Sequence, residues 1–328
     1  MNSLRPQGSP VAFGGMMAAL AVVLGLVGQL LPLFGALLAP LPLALCALVL
    51  PLGQAAVSGV AAAFVVGMLT GLVNGVQFAF STVLFSVVLG VLVRARKGYG
   101  TCFAGAALAK VTGAGLAFGA QILLAGVDLQ TVWRAFSSLE EDMLQTAEQA
   151  GVYESLAASG TMTAAEVQDL FVRTVHIVLE LSPAIYVLRD AALVGAVMLV
   201  LHAFCSRLPL FVQVPVPVPQ WRRMIMPPAW TAGFILAWMC LLAAHHFENT
   251  GLWICAANVM VIGAAGMVVD GFSYTLARLR FSERPLMWQF IYVLIAVMLG
   301  WYLIILFAFL GVFDSIADYR QLRTAKGE

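Results

Sequence analysis

Residues 127–182 read VDLQTVWRAFSSLEEDMLQTAEQAGVYESLAASGTMTAAEVQDLFVRTVHIVLELS, an amphipathic, acidic stretch standing between two blocks of long apolar runs. Its carboxylates are Asp128, Glu140, Glu141, Asp142, Glu148, Glu154, Glu166, Asp169 and Glu180, opposed by Arg134 and Arg173 as its lysine-or-arginine content. Leu129, Val132, Trp133, Phe136, Met143, Leu144 and Ala147 recur at three- and four-residue intervals, which lines one face of an α-helix. Gly151 and the Ala157–Gly160 region interrupt that helix. Thr163 with Glu166 three residues on forms a capping box and starts a second helix, with an apolar face of Val167, Leu170, Phe171, Thr174, Val178 and Leu181. It runs to Pro183, a residue tolerated in the first turn of a following helix. Two functional readings are open, a substrate lid or a docking surface on which Trp133 and Phe136 face a partner. The plainer reading, a pair of helices lying on the membrane face, fits the composition better.

Composition sets the class. Apolar residues make up 62% of the 328-residue chain and charged residues 10%, against about 25% charged in an ordinary soluble domain. A bilayer uses that much apolar surface, because a spanning helix needs roughly 20 mostly apolar residues to cross about 30 Å of hydrocarbon. The net charge of +1 is a balance of separated charges and carries no nucleic-acid signal.

Taken in order, the apolar runs are Phe13–Leu33, Leu37–Leu52, Ala55–Val73, Val76–Val93 and Thr101–Ala125 before the acidic stretch. Pro183–Phe204, Trp230–Ala244, Leu252–Leu276 and Leu286–Val312 follow it. The first run is too long for a signal peptide and is read as a retained span. The second contains Pro40, Pro42 and Pro51, so a short, broken helix is expected there, its freed carbonyls shielded by protein or water. Asn74 and Gly75 are expected to separate spans three and four. Leu208–Pro228, with Pro215, Pro217 and Pro219, is expected to be extended at the interface.

Lys and Arg in short loops orient the chain. Arg94, Arg96 and Lys97, then Arg207, Arg222 and Arg223, then Arg278, Arg280 and Arg284 fall on the cytoplasmic side if spans alternate, which puts the acidic stretch outside. A single final helix from Leu286 would be about 40 Å long and carry Arg320, Arg323 and Lys326 outward. A fold-back near Leu299–Trp301 returns the tail to the cytoplasm and is preferred.

Cys46, Cys102, Cys205, Cys240 and Cys255 contain no C-x-x-C pair, and the adjacent His245 and His246 diverge by about 100° on a helix, so no metal or cofactor is implied. No G-x-S-x-G, H-E-x-x-H, paired-aspartate or G-x-x-x-x-G-K-[ST] pattern is present, and the chain is read as a non-enzyme. The fifth span carries the sharpest constellation. Gly105, Ala109, Gly113 and Ala117 form a small-residue ladder beside Lys110, with Ala114, Ala117 and Gln121 on the lysine's own face. A cation at mid-depth is expected to face a cavity or a countercharge, for which Asp190, next to Arg189, and Asp270 are the candidates. Lys110, Gln121, Asp190, Asn258 and Asp270 are therefore the ligand-binding candidates. Against this stand a structural ion pair or a snorkelling Lys110, and for Asn258 an interhelical hydrogen bond. Gly14 with Ala18, Gly15 with Ala19, and Ala21 with Gly25 make a close-packing stripe on span one, of which Gly15 and Ala19 are taken as partner-facing.

The C-terminal run Leu310, Gly311, Val312, Phe313, Asp314, Ser315, with Asp318, Tyr319 and Arg320, resembles the closing signature of the YybS-like predicted bacterial membrane proteins. Met226, Pro227, Trp230, Asn258, Gly271 and the Ser182–Pro183 pair extend the resemblance over nearly the whole chain. It implies a multi-span protein of a bacterial cytoplasmic (inner) membrane without an established activity. The first spans are also distantly similar to substrate-binding S components of energy-coupling-factor transporters, through the span-one stripe, the proline-broken second span and the Gly-rich spans three to five. That similarity implies a membrane coupling subunit as partner and a small-molecule ligand.

The expected architecture is an all-α polytopic helical membrane protein of about 8 to 9 spans. Its divisions are 1–126 (N-terminal membrane block), 127–182 (acidic extracytoplasmic helices), 183–312 (C-terminal membrane block) and 313–328 (polar tail). The expected function is small-molecule binding or transport resembling an S component; the alternative is a scaffold that binds envelope proteins through residues 127–182.

Overall fold

The computed structural model describes residues 9–158, 160, 162–207, 216–281, 287 and 302–318. Among them every regular element is helical, as the apolar periodicities require. Among the described residues eight helices are long and apolar enough to cross a bilayer: Pro10–Leu30, Pro32–Val49, Leu52–Thr70, Leu72–Arg94, Tyr99–Leu124, Ser182–Arg207, Pro228–His246 and Thr250–Ala277. The chain is an all-α multi-pass membrane protein, and its helices are grouped into two compact units.

The first unit draws on Met1–Phe136 and Arg189–Pro219. It holds α1 (Pro10–Leu30), α2 (Pro32–Leu38), α3 (Pro40–Val49), α4 (Leu52–Thr70), α5 (Leu72–Phe78), a π-helical turn (Ala79–Val83), α6 (Leu84–Arg94) and α7 (Tyr99–Ala125). Most of α11 (Ser182–Arg207) also belongs to it. Pro10, Pro32 and Pro40 each start a helix at a position where a missing N–H costs nothing. The proline-broken second span is α2 plus α3, and its break at Ala39 and Pro40 is enclosed by protein. Every residue from Pro40 to Leu48 is buried. α3 shares one buried core with Phe85, Leu89 and Val93 of α6, Cys102 and Ala106 of α7, and Val194, Met198 and Leu201 of α11. Arg94 donates from Nη1 to the Leu50 carbonyl at 2.6 Å and ties the end of α6 to the end of α3.

The turn between spans three and four falls at Gly71 rather than at Asn74 and Gly75. Gly71 takes φ +103°, a conformation closed to L side chains. Asn74 is inside α5, where its amide reaches back to the Thr70 carbonyl at 2.8 Å, and Gly75 lets α5 lie directly on Gly67 of α4. Span five ends at Gly126 in the left-handed region, with Val127 N–H returning to Ile122 O, the six-to-one bond of a Schellman cap.

The second unit draws on Ser137–Leu188 and Gln220–Glu328. It contains most of α8 (Leu129–Gln149), α9 (Val152–Ala157) and α10 (Ala164–Glu180), then a 3-10 turn at Trp221–Arg223, α12 (Pro228–His246), α13 (Thr250–Phe281) and α14 (Tyr302–Ala317). The capping box is formed: Glu166 N–H donates to Thr163 Oγ1 at 3.3 Å and Thr163 N–H to Glu166 Oε2 at 2.8 Å. Ala147, Tyr153 and Val167 close a small core where α8, α9 and α10 meet. α12 and α13 form a hairpin turned at Phe247–Asn249. On α13, Gly271 lies against the Phe307 carbonyl, and on α14, Gly311 lies against the Met267 carbonyl, so these helices are antiparallel and nearly touch by backbone.

Residues 216–220 lack regular structure, as the proline-rich linker requires, while 208–215 lie outside the described residues. α14 begins just after Trp301. The expected fold-back at Leu299–Trp301, and with it the side of the C-terminus, also lies outside them.

Candidate functional site

The small-residue ladder of α7 positions the buried lysine. Gly105 lies against Leu92, and Gly113 against the Phe80 carbonyl, so α7 runs antiparallel to the α5–π–α6 helix at close range. Ala109 and Ala117 are buried on the same face. Lys110, 9% exposed, enters the contact beside them. Its Nζ donates to the Ser81 carbonyl at 2.9 Å and lies 5.8 Å from the centre of the Phe85 ring. Ser81 is within the π turn, an i-to-i+5 widening of the kind that concentrates at functional sites. The turn carries further polar groups. Ser81 Oγ donates to Gln77 O at 2.6 Å, Ser86 Oγ to Thr82 O at 2.6 Å, and Gln121 Nε2 of α7 meets Gln77 Oε1 at 3.4 Å.

Asp190 is in the same unit, with a side chain 5% exposed. Its Oδ1 accepts from Arg189 Nε at 3.2 Å and Nη2 at 3.0 Å. Lys110 lies within electrostatic reach of both Asp190 and Arg189, and its direct contact is the Ser81 carbonyl. The first unit thus pairs Lys110 with the Ser81 carbonyl near Asp190, and Gln121, about 16 Å further along α7, with Gln77. Sequence reading had a signal for Gln77 and Ser81, two polar residues four apart in span four and therefore on one helix face. The π turn is a backbone feature without a side-chain signature.

Asn258 and Asp270 are in the second unit, each engaged with backbone. Asn258 Oδ1 accepts from Ala184 N–H at 2.8 Å, and its Nδ2 donates to Glu180 O at 2.8 Å and Ile254 O at 2.9 Å. The elbow between α10 and α11, where Pro183 cannot donate, is thereby held to α13. Asp270, fully buried, accepts from Met226 N–H at 3.4 Å, and Ser273 Oγ donates to Met224 O at 2.8 Å, which fastens the segment leading into α12.

On α1, Gly14 and Ala18 are buried while Gly15 and Ala19 are exposed, with no atom within 4 Å of where a Gly15 side chain would begin. Phe136 is 41% exposed on α8; the Trp133 side chain lies outside the described residues. An open apolar groove of about 340 Å³ runs along α4 and α5, lined by Val60, Phe64, Gly67, Leu72 and Val76. Among the described residues no His, Cys, Asp and Glu group could hold a metal ion. In the acidic helices sequence reading passed over His176, which stands between Glu140 and Glu180.

No curated protein and no solved structure matches the chain. A family model described as a predicted membrane protein, DUF2232, matches residues 19–315, and the chain therefore belongs to that family of membrane proteins.

Proposed function

We propose that the protein binds a small solute within the membrane, as a transport component resembling an S component, with Lys110 taking the anionic end of the solute. The observation carrying this reading is the Lys110–Ser81 contact at the π turn: a buried ammonium that donates to a neutral carbonyl. A carboxylate or phosphate is a stronger acceptor, since charge-assisted hydrogen bonds are roughly twice as strong as neutral ones. Gln77 and Gln121 supply amides on the same helix contact, and Asp190, steadied by Arg189, balances the site when it is empty. In this reading 1–126 is the S-component-like block of a protein of the bacterial cytoplasmic membrane, it performs no catalysis, and a coupling subunit meets the Gly15 and Ala19 face of α1.

The test is native mass spectrometry of the gently purified protein. The reading expects a discrete bound metabolite that Lys110→Met loses while remaining folded. A wild-type protein that is empty, or whose bound molecule is indifferent to Lys110→Met, overturns it.

A scaffold role for residues 127–182 is favoured by a different observation. Phe136, Leu139 and Met143 of α8 and Leu170 and Ile177 of α10 are exposed apolar side chains on otherwise acidic helices. This reading expects a co-purifying envelope protein that deletion of 127–182 releases.

A further inference from the structure

We infer that His176 is a proton-operated strap: as an imidazolium it ties α8 to α10, and as a neutral ring it lets α8 go. Within the second unit the two helices are antiparallel, with Ala147 and Val167 meeting near α9 and Glu140 and His176 meeting about two turns away. At the α9 end the contact is sealed by Tyr153, whose hydroxyl donates to Leu144 O at 3.3 Å and whose ring meets Phe171 edge-on at 5.7 Å. At the other end it depends on the imidazole. Nδ1 lies 3.8 Å from Glu140 Oε2, and Nε2 lies 3.2 Å from Glu180 Oε1.

The charge state decides the contact. Both are ion-pair approaches, so a neutral imidazole has no net charge with which to hold either glutamate. The imidazolium attracts both. A metal ion does not substitute for the proton, because the carboxylates approach different ring nitrogens and cannot converge with the ring on one ion.

The surroundings reinforce this. Glu140, on α8, is followed by Glu141 and Asp142, and Glu180 is one turn beyond His176 on α10. Arg173, one turn before, is engaged by Asp169 at 2.9 Å with both side chains well exposed. Histidine changes charge between pH 5 and 8, so the strap is closed on the acid side of that range and released on the alkaline side, where Glu140 and Glu180 repel. Its far end is anchored. The carbonyl of Glu180 accepts from Asn258, so the strap pulls on an elbow already fixed to α13.

The test is hydrogen–deuterium exchange of the full chain in nanodiscs at pH 5.5 and pH 8, corrected for intrinsic rates. Amides around Glu140 in the wild type should exchange about threefold more slowly at the acid pH, the size expected of an exposed ion pair. In His176→Gln that difference should vanish. Glu140→Gln guards against loss of folding, because it removes the α8 side alone: the pH effect on α8 should vanish while α10 keeps its own. No acid protection in the wild type, or its survival in either variant around residue 140, overturns the inference.

Discussion

Gly113 of α7 lies against the carbonyl oxygen of Phe80 so closely that any side chain at 113 would overlap it. This contact sets the depth at which α7 seats on the π turn, and so places the Lys110 ammonium at the Ser81 carbonyl. Gly113→Ala should push the helices apart and lower stability by about 1–3 kcal/mol, the usual cost of overpacking. Gly115→Ala and Gly119→Ala meet open space and serve as controls. Thermal melts in detergent that rank Gly113→Ala with the controls would show that α7 is not seated there.

Lys110→Met separates ligation from architecture. The variant gives up one hydrogen bond, about 1 kcal/mol net, but also relieves the burial of a cation, which costs about 3 kcal/mol on insertion scales. The melting temperature should stay level or rise. A marked drop would mean that the lysine chiefly holds the π turn.

Asn258→Leu should weaken the elbow between α10 and α11. Glu180 O and Ala184 N–H lose their partner at a part-buried site, at about 1–3 kcal/mol for each group left unsatisfied. Asn258→Asp keeps the acceptor for Ala184 and should fall between. Proteolysis across residues 178–186 reads the result, and equal cutting of all three proteins would count against the staple.

The capping box gives a pH dependence on α10. The Thr163 backbone N–H, then its hydroxyl, hold the Glu166 carboxyl below the usual carboxylate range. A folded pKa depressed below the unfolded one adds stability that is fully present above the unfolded pKa and is lost as pH falls through the folded value. Exchange at the first turn of α10 should therefore accelerate, after intrinsic correction, only at pH values below the ordinary carboxylate range, and Glu166→Gln should flatten the profile. Asp128, held low by the Thr131 hydroxyl and N–H, should show the same at the start of α8.

Gly271 and Gly311 bring α13 and α14 into backbone contact. Gly271→Val and Gly311→Val should each displace α14 and lower stability by about 1–3 kcal/mol, the usual cost of overpacking, read by thermal melts in detergent. A melting temperature equal to wild type in either variant would place the two helices further apart than found.

The helices were legible because bilayer spans announce themselves by length and apolarity, and the capping box because its two side chains sit at a fixed spacing. The Lys110 ladder was legible for the same reason, as every fourth residue is small. The turn at Gly71 was missed because a positive φ belongs to one glycine among many, while Asn74 looked like a loop residue and instead bonds its own helix. The Ser81 carbonyl was out of reach because the π turn follows from packing α7 onto the helix. His176 needed the antiparallel pairing of α8 and α10 before Glu140 became its neighbour. Asn258 was read as a hydrogen-bonding residue or a ligand contact, and the three backbone groups it touches give the first of these its content.

The enclosure of α3 bears on how the chain is made. α1, α6 and α7, which contribute to the same core, precede residue 126, but Val194, Val197, Met198 and Leu201 come from α11, more than fifty residues later. During synthesis a chain that has released its first five spans still lacks the α11 residues of the core that α3 belongs to. The N-terminal block is therefore completed only after the acidic helices have cleared the ribosome. Nascent chains halted before Ser182 should be the species that membrane proteases and insertases hold.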